Sequence, residues 1–125
     1  MTPSEYQNPI LCADYSDPDI VRVGDDFFMV SSSFNHVPAL PILHSTDLVN
    51  WTIINHVMDE LPLPGYDRYQ PGKGVWAPSI RWHDGKLWVC FSTPDEGIFI
   101  CHTEDPWGEW SAPHCLREAR GWIDP

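Results

Sequence analysis

Two carboxylates recur in one local setting. Asp17 lies in Tyr15-Ser16-Asp17-Pro18-Asp19-Ile20-Val21-Arg22-Val23, at the entry to an apolar strand. Asp124 lies in Trp122-Ile123-Asp124-Pro125, again an Asp-Pro that follows an aromatic. Carboxylates facing a pocket can take up or release protons, so two at matched positions of a repeated unit are candidates for chemistry on one ligand. A single Asp-Pro at a strand entry is usually just a turn residue. The recurrence, with Trp76 and Trp122 nearby, is what carries the functional reading. The proline after Asp17 is expected to hold that residue in extended backbone geometry.

The elements that must position these groups are short strands. Val21 and Val23 on one side, and Phe27-Phe28-Met29-Val30 on the other, flank Gly24-Asp25-Asp26, a hairpin turn by composition. The block returns at an offset of 60: Asp17 to Arg22 matches Ala77 to Trp82, and Phe27 to Val30 matches Leu87 to Cys90. Between these, Gly24-Asp25-Asp26 meets Asp84-Gly85-Lys86. Ile42 to Trp51 then matches Ile100 to Trp110 with one insertion. Each unit reads as strand, hairpin, strand, loop, strand, an Asp-containing turn, and a last strand beginning near the Trp. Four strands per unit and no helix is the pattern of a β-propeller blade, and thirteen prolines argue against long helices.

In a propeller the first strand of each blade lies innermost. Asp17, Ala77 and Asp124 occupy the start of that strand in successive units, so they are expected around one end of the axis. Asp124-Pro125 opens a third copy. Two blades cannot close a ring of about four to eight, so residues 1–125 are expected to be the N-terminal part of a propeller domain, about two blades and the start of a third.

Composition narrows the ligand. The net charge is −11 with seven Lys plus Arg, which opposes binding to nucleic-acid phosphates or to an anionic membrane and is compatible with a neutral ligand. Seven Trp among sixteen aromatics serve either to pack sheets or as platforms for sugar rings. Cys12, Cys90, Cys101 and Cys115 form no CxxC pair and read as free thiols, which favours a reducing compartment. Met1 to Gln7 lacks a basic and then apolar leader, so a cytoplasmic location is expected. The six histidines, His36 included, show no HxH or HExxH spacing, and no metal or other cofactor is expected. His44 and His102 hold matched strand positions, which packing explains. Ser31-Ser32-Ser33 lacks the glycines of a nucleophile elbow and reads as strand. Asp25-Asp26 and Asp95-Glu96 read as exposed turns. The Pro-, Gly- and Tyr-rich stretch from Met58 to Gly74 either walls a ligand site or is an irregular connection.

Several runs closely resemble the opening of family-43 glycoside hydrolases. They are Asn8-Pro9-Ile10-Leu11, Asp14 to Asp19, Val23 to Phe34, Leu40 to Trp51, and Val75-Trp76-Ala77-Pro78-Ser79-Ile80. The resemblance spans residues 8 to 125 and is nearest to the β-xylosidase and α-L-arabinofuranosidase branch. It implies an all-β, five-bladed β-propeller, in agreement with the repeat. It also implies that Asp17 is the general base of an inverting hydrolysis. By the same resemblance Asp124 raises the pKa of the general acid and orients it, while Trp76 and Phe34 line the subsite for the non-reducing sugar. The family's general acid, a glutamate from a later blade, has no counterpart among these residues, nor does an arginine from a late blade. The 125-residue polypeptide is therefore expected to be inactive alone. The expected partner is a xylo-oligosaccharide or an arabinoside. A non-catalytic carbohydrate-binding propeller is the alternative from another class, separated from the enzyme by the residue at the acid position.

Overall fold

The computed structural model describes residues 5–34 and 37–125; Met1 to Ser4, within the segment read for a leader, and His36 lie outside them. Eight strands follow one another: β1 (Asp19–Val23), β2 (Asp26–Val30), β3 (Ala39–Ser45), β4 (Thr52–Met58), β5 (Trp76–His83), β6 (Lys86–Thr93), β7 (Gly97–Thr103) and β8 (His114–Glu118). They form two four-stranded antiparallel sheets in sequence order, β1-β2-β3-β4 and β5-β6-β7-β8, with no helix among the described residues. These are two consecutive propeller blades.

The offset of 60 holds in register across the inner hairpins, where Ile20 pairs with Met29 and Ile80 with Val89. On the third strand it becomes 58, with Val30 opposite Ile42 and Cys90 opposite Ile100. Both inner hairpins close through two-residue turns, Val23 opposite Asp26 and His83 opposite Lys86. The chemistry of the turns differs. Gly24 carries the positive φ (64°) in the first, whereas Asp84 (50°) and Gly85 (72°) both carry it in the second, the demand of a type I′ turn. One boundary departs from expectation. β4 begins one residue after Trp51, but β8 begins only at His114, because the strip after Trp110 is held by Ser111, whose N–H donates to the His102 carbonyl at 2.8 Å.

The core lies between the two sheets. β6 and β7 alternate buried and half-buried residues with period two, so Leu87, Val89 and Phe91 face inward with Phe99 and Cys101. They meet Val30, Leu40, Ile42 and Val57 of the first blade, and each such side chain contributes about 1.5–3 kcal/mol on burial. Polar bonds stitch the blades along the same seam. The Asp19 carboxylate accepts from the Ile80 N–H at 2.8 Å and pairs with the Arg81 guanidinium at 2.5 Å. At the outer edge the Asn55 amide donates to the carbonyls of Pro106 (3.0 Å) and Gly108 (2.7 Å). His44 packs on Phe28 (5.4 Å between centroids) and His102 on Trp88 (4.7 Å), as the matched positions imply.

Two local expectations are corrected. Asp17 is not extended: its φ is 49°, and Ala77 (34°) and Asp124 (57°) share the left-handed region at the matched positions. The following proline biases the residue towards extended backbone, so the left-handed turn runs against that local preference. Each blade entry thus uses the same uncommon turn, of a kind that persists only where surrounding contacts hold it. Ser31 and Ser32 lie beyond the end of β2, and Ser33 makes an isolated bridge to Val75.

Candidate functional site

The candidate site is built where the first blade's inner strand meets the second's. Asp17 is exposed, two residues before β1, and its Oδ2 accepts a hydrogen bond from the Ser32 hydroxyl at 2.8 Å. That hydroxyl in turn accepts from the Ala77 N–H at 2.8 Å, at the entry of β5. The Ser32 N–H donates to the Ser16 carbonyl at 2.9 Å, so one residue grips the Asp17 turn twice. The next residue continues the seam: the Ser33 N–H donates to the Val75 carbonyl (3.0 Å), and the Ser33 hydroxyl accepts from the Leu40 N–H (2.9 Å). Asp17, Phe34 and Trp76 are therefore each within two residues of this seam.

Phe34 and the 59–75 segment enclose a cleft of about 260 Å³. Its wall includes Leu61, Tyr66, Tyr69, Lys73 and Gly74, so the long Pro-, Gly- and Tyr-rich connection does wall a cavity. Gly74 makes this possible. At φ 126° it presses against Phe34 so closely that a Cβ there would lie 1.7 Å from the Phe34 carbonyl oxygen. Trp76 is half-buried, its indole N–H 3.2 Å from the Gly72 carbonyl, and it stands beside the cleft without lining it.

The β6–β7 turn clamps this wall. Asp95 and Glu96 are half-buried and are not simple exposed turn residues. The Lys73 ammonium sits 2.6 Å from Asp95 Oδ2 and the Arg120 guanidinium 3.3 Å from Oδ1. The hydrogen bond from Lys73 leads the effects that hold the Asp95 carboxyl below the usual range. The Tyr66 hydroxyl donates to Glu96 at 3.0 Å; burial first, and that bond with the nearby carboxylates second, push its phenol above the ordinary value. Asp26 is likewise not free, lying 2.6 Å from His44 Nε2.

Asp124 stands apart. It is exposed, and among the described residues no hydrogen bond or ion pair joins it to Asp17, Phe34 or Trp76. The segment before it is tied back to the β6–β7 turn, with the Ala119 N–H on the Glu96 carbonyl (3.2 Å) and the Gly121 N–H on the Pro94 carbonyl (3.0 Å). Among the described residues no cluster of three or more His, Cys, Asp or Glu is placed to hold a metal ion. Sequence reasoning missed Ser32, Gly74 and the Asp95-Glu96 clamp. The one available signal was that Ser32 and Ser92 match at the offset of 60.

Comparison with known proteins places the chain in a family. The family model described as glycosyl hydrolases family 43 matches residues 6–125. A xylosidase/arabinosidase of Butyrivibrio fibrisolvens is 42% identical over 124 residues, covering 94% of this chain and 23% of that protein. A non-reducing end α-L-arabinofuranosidase of Bacteroides ovatus is 38% identical, covering 86% of this chain and 21% of that protein. Among solved structures, a family-43 protein of Bacillus licheniformis superposes with a TM-score of 0.84 at 32% identity, covering 96% of this chain and 26% of that chain. The chain thus spans about a quarter or less of the length of these relatives. With its two blades, its strand-entry carboxylates and a match along nearly its whole length, this chain belongs to glycoside hydrolase family 43.

Proposed function

We propose that the complete protein carrying this chain hydrolyses glycosidic bonds of xylo-oligosaccharides or arabinose-substituted xylan with inversion of configuration. Asp17 is its general base. The observation that carries this reading is the exposed Asp17 carboxylate, held by one oxygen against the blade seam beside Phe34 and Trp76.

Inversion needs two carboxyl groups about 6.5–9.5 Å apart, with a water between the base and the anomeric carbon. Asp17 takes a proton from that water as its oxygen bonds to the sugar carbon. The acid, supplied by a later blade, gives its proton to the departing oxygen. Asp124 lies near that acid in the closed domain, where its negative charge disfavours ionisation and keeps the acid protonated. Phe34 and Trp76 give an apolar wall to one face of the sugar. The 125 residues alone lack the proton donor and do not turn over substrate. The four free thiols fit a reducing compartment such as the cytoplasm.

The test is to assay the full-length gene product on aryl β-xyloside and aryl α-L-arabinofuranoside beside Asp17→Ala. The expected loss in kcat is about 10²–10⁴-fold, the usual contribution of a general base. A folded full-length protein that binds xylo-oligosaccharide without turnover would instead be a carbohydrate-binding propeller.

A further inference from the structure

We propose that Ser32 is a positioning residue for Asp17, orienting the carboxylate by a hydroxyl bridge from the first blade's inner strand to the second's. This rests on the reading of Asp17 as the base.

The direction of the bridge follows from proton counting. A backbone N–H can only donate, so at 2.8 Å from the Ala77 nitrogen the Ser32 oxygen must accept. Its single proton is then left for Asp17 Oδ2, also at 2.8 Å. A hydrogen bond to an ionised carboxylate is among the stronger kinds, and Ser32 is only 7% exposed, so water competes poorly for it. Oδ2 is thereby occupied and Oδ1 is left to face solvent and substrate water. The bond also fixes the carboxylate relative to Ala77, the neighbour of Trp76. Base and aromatic wall are set against each other through one hydroxyl.

The repeat supplies an internal comparison. Ser92 holds the matched place in the second blade, where Ala77 offers no carboxylate. Among the described residues its hydroxyl donates to the Trp76 carbonyl at 3.5 Å. Misplacing a catalytic group by about 1 Å can cost on the order of 10²-fold in rate, which sets the scale for losing the Ser32 bridge.

The experiment uses the full-length protein, 4-nitrophenyl β-xyloside and 4-nitrophenyl α-L-arabinofuranoside, and four forms: unmodified, Ser32→Ala, Asp17→Gly and the double variant. Azide is added to the Asp17→Gly forms, because this anion attacks the anomeric carbon without needing a base, and the aryl oxide leaves. On whichever substrate is turned over, Ser32→Ala is expected to lower kcat about 10- to 100-fold with KM within about twofold. In the Asp17→Gly background it is expected to change the azide-supported rate less than about twofold, since a residue acting through Asp17 has nothing left to act on. Equal losses in both backgrounds would reveal a purely structural role and overturn the proposal. So would an unchanged kcat in Ser32→Ala while Asp17→Gly is inactive in water, an outcome that leaves the base reading intact. Full activity of Asp17→Gly in water would remove the base reading itself.

Discussion

Replacing Gly74 by alanine tests the packing that shapes the cleft. The new Cβ would lie 1.7 Å from the Phe34 oxygen and 2.9 Å from the Ser33 oxygen, and ordinary contact begins near 3.4 Å. The backbone of Ser33-Phe34 must therefore retreat by well over an ångström. That motion breaks the 3.0 Å bond between the Ser33 N–H and the Val75 carbonyl. A non-glycine residue forced into a sparsely populated backbone region costs about 1–3 kcal/mol, and a lost hydrogen bond adds about 1 kcal/mol. The sum is about 2–4 kcal/mol, a fall of roughly 5–15 °C in Tm. Gly85→Ala is the matched control. Gly85 also has positive φ (72°), but an added Cβ there meets nothing within 4 Å. Its cost is the backbone term alone, about 1–2 kcal/mol. Thermal melts of the full-length protein and both variants at one scan rate make the comparison, with KM read for Gly74→Ala. Equal Tm shifts for the two variants, or an unchanged KM in Gly74→Ala, would refute the claim that close approach to Phe34 forms the cleft.

Two more outcomes follow from the electrostatics. Asp95 has a folded-state pKa below its ordinary 3.8, chiefly through the Lys73 hydrogen bond, so its stabilisation is present above pH 3.8 and is lost as pH falls through the lower folded value. Between pH 5 and pH 3 the Tm of Asp95→Asn should fall less than that of the parent; identical slopes would contradict the clamp. Burial pushes the Cys101 thiol up to about 12, whereas Cys12 and Cys115 are exposed. Iodoacetamide labelling at pH 8 read by mass spectrometry should modify Cys12 and Cys115 first and Cys101 only after denaturation. Early labelling of Cys101 would mean that the β6–β7 face is not packed as described.

What the sequence determined by itself was the repeat and everything that depends on local periodicity. Alternating apolar residues, glycine and aspartate at two-residue turns, and the offset of 60 place seven of the eight strands and both hairpins, because each signal lies within a few residues of the element it specifies. The carboxylates at the strand entries were legible for the same reason. Tertiary structure decided what those residues touch. The left-handed turn at Asp17 contradicts the local preference before proline, and contacts from Ser16 and Ser32 hold it there. Ser32 looked like one more strand serine, and its role appears only when the second blade brings the Ala77 N–H to its oxygen. Asp95 and Glu96 looked like solvent-facing turn residues until the 59–75 connection folded back onto them with Lys73 and Tyr66. These contacts join residues 15 to 45 positions apart, and no short window of sequence shows which distant segments the fold brings together.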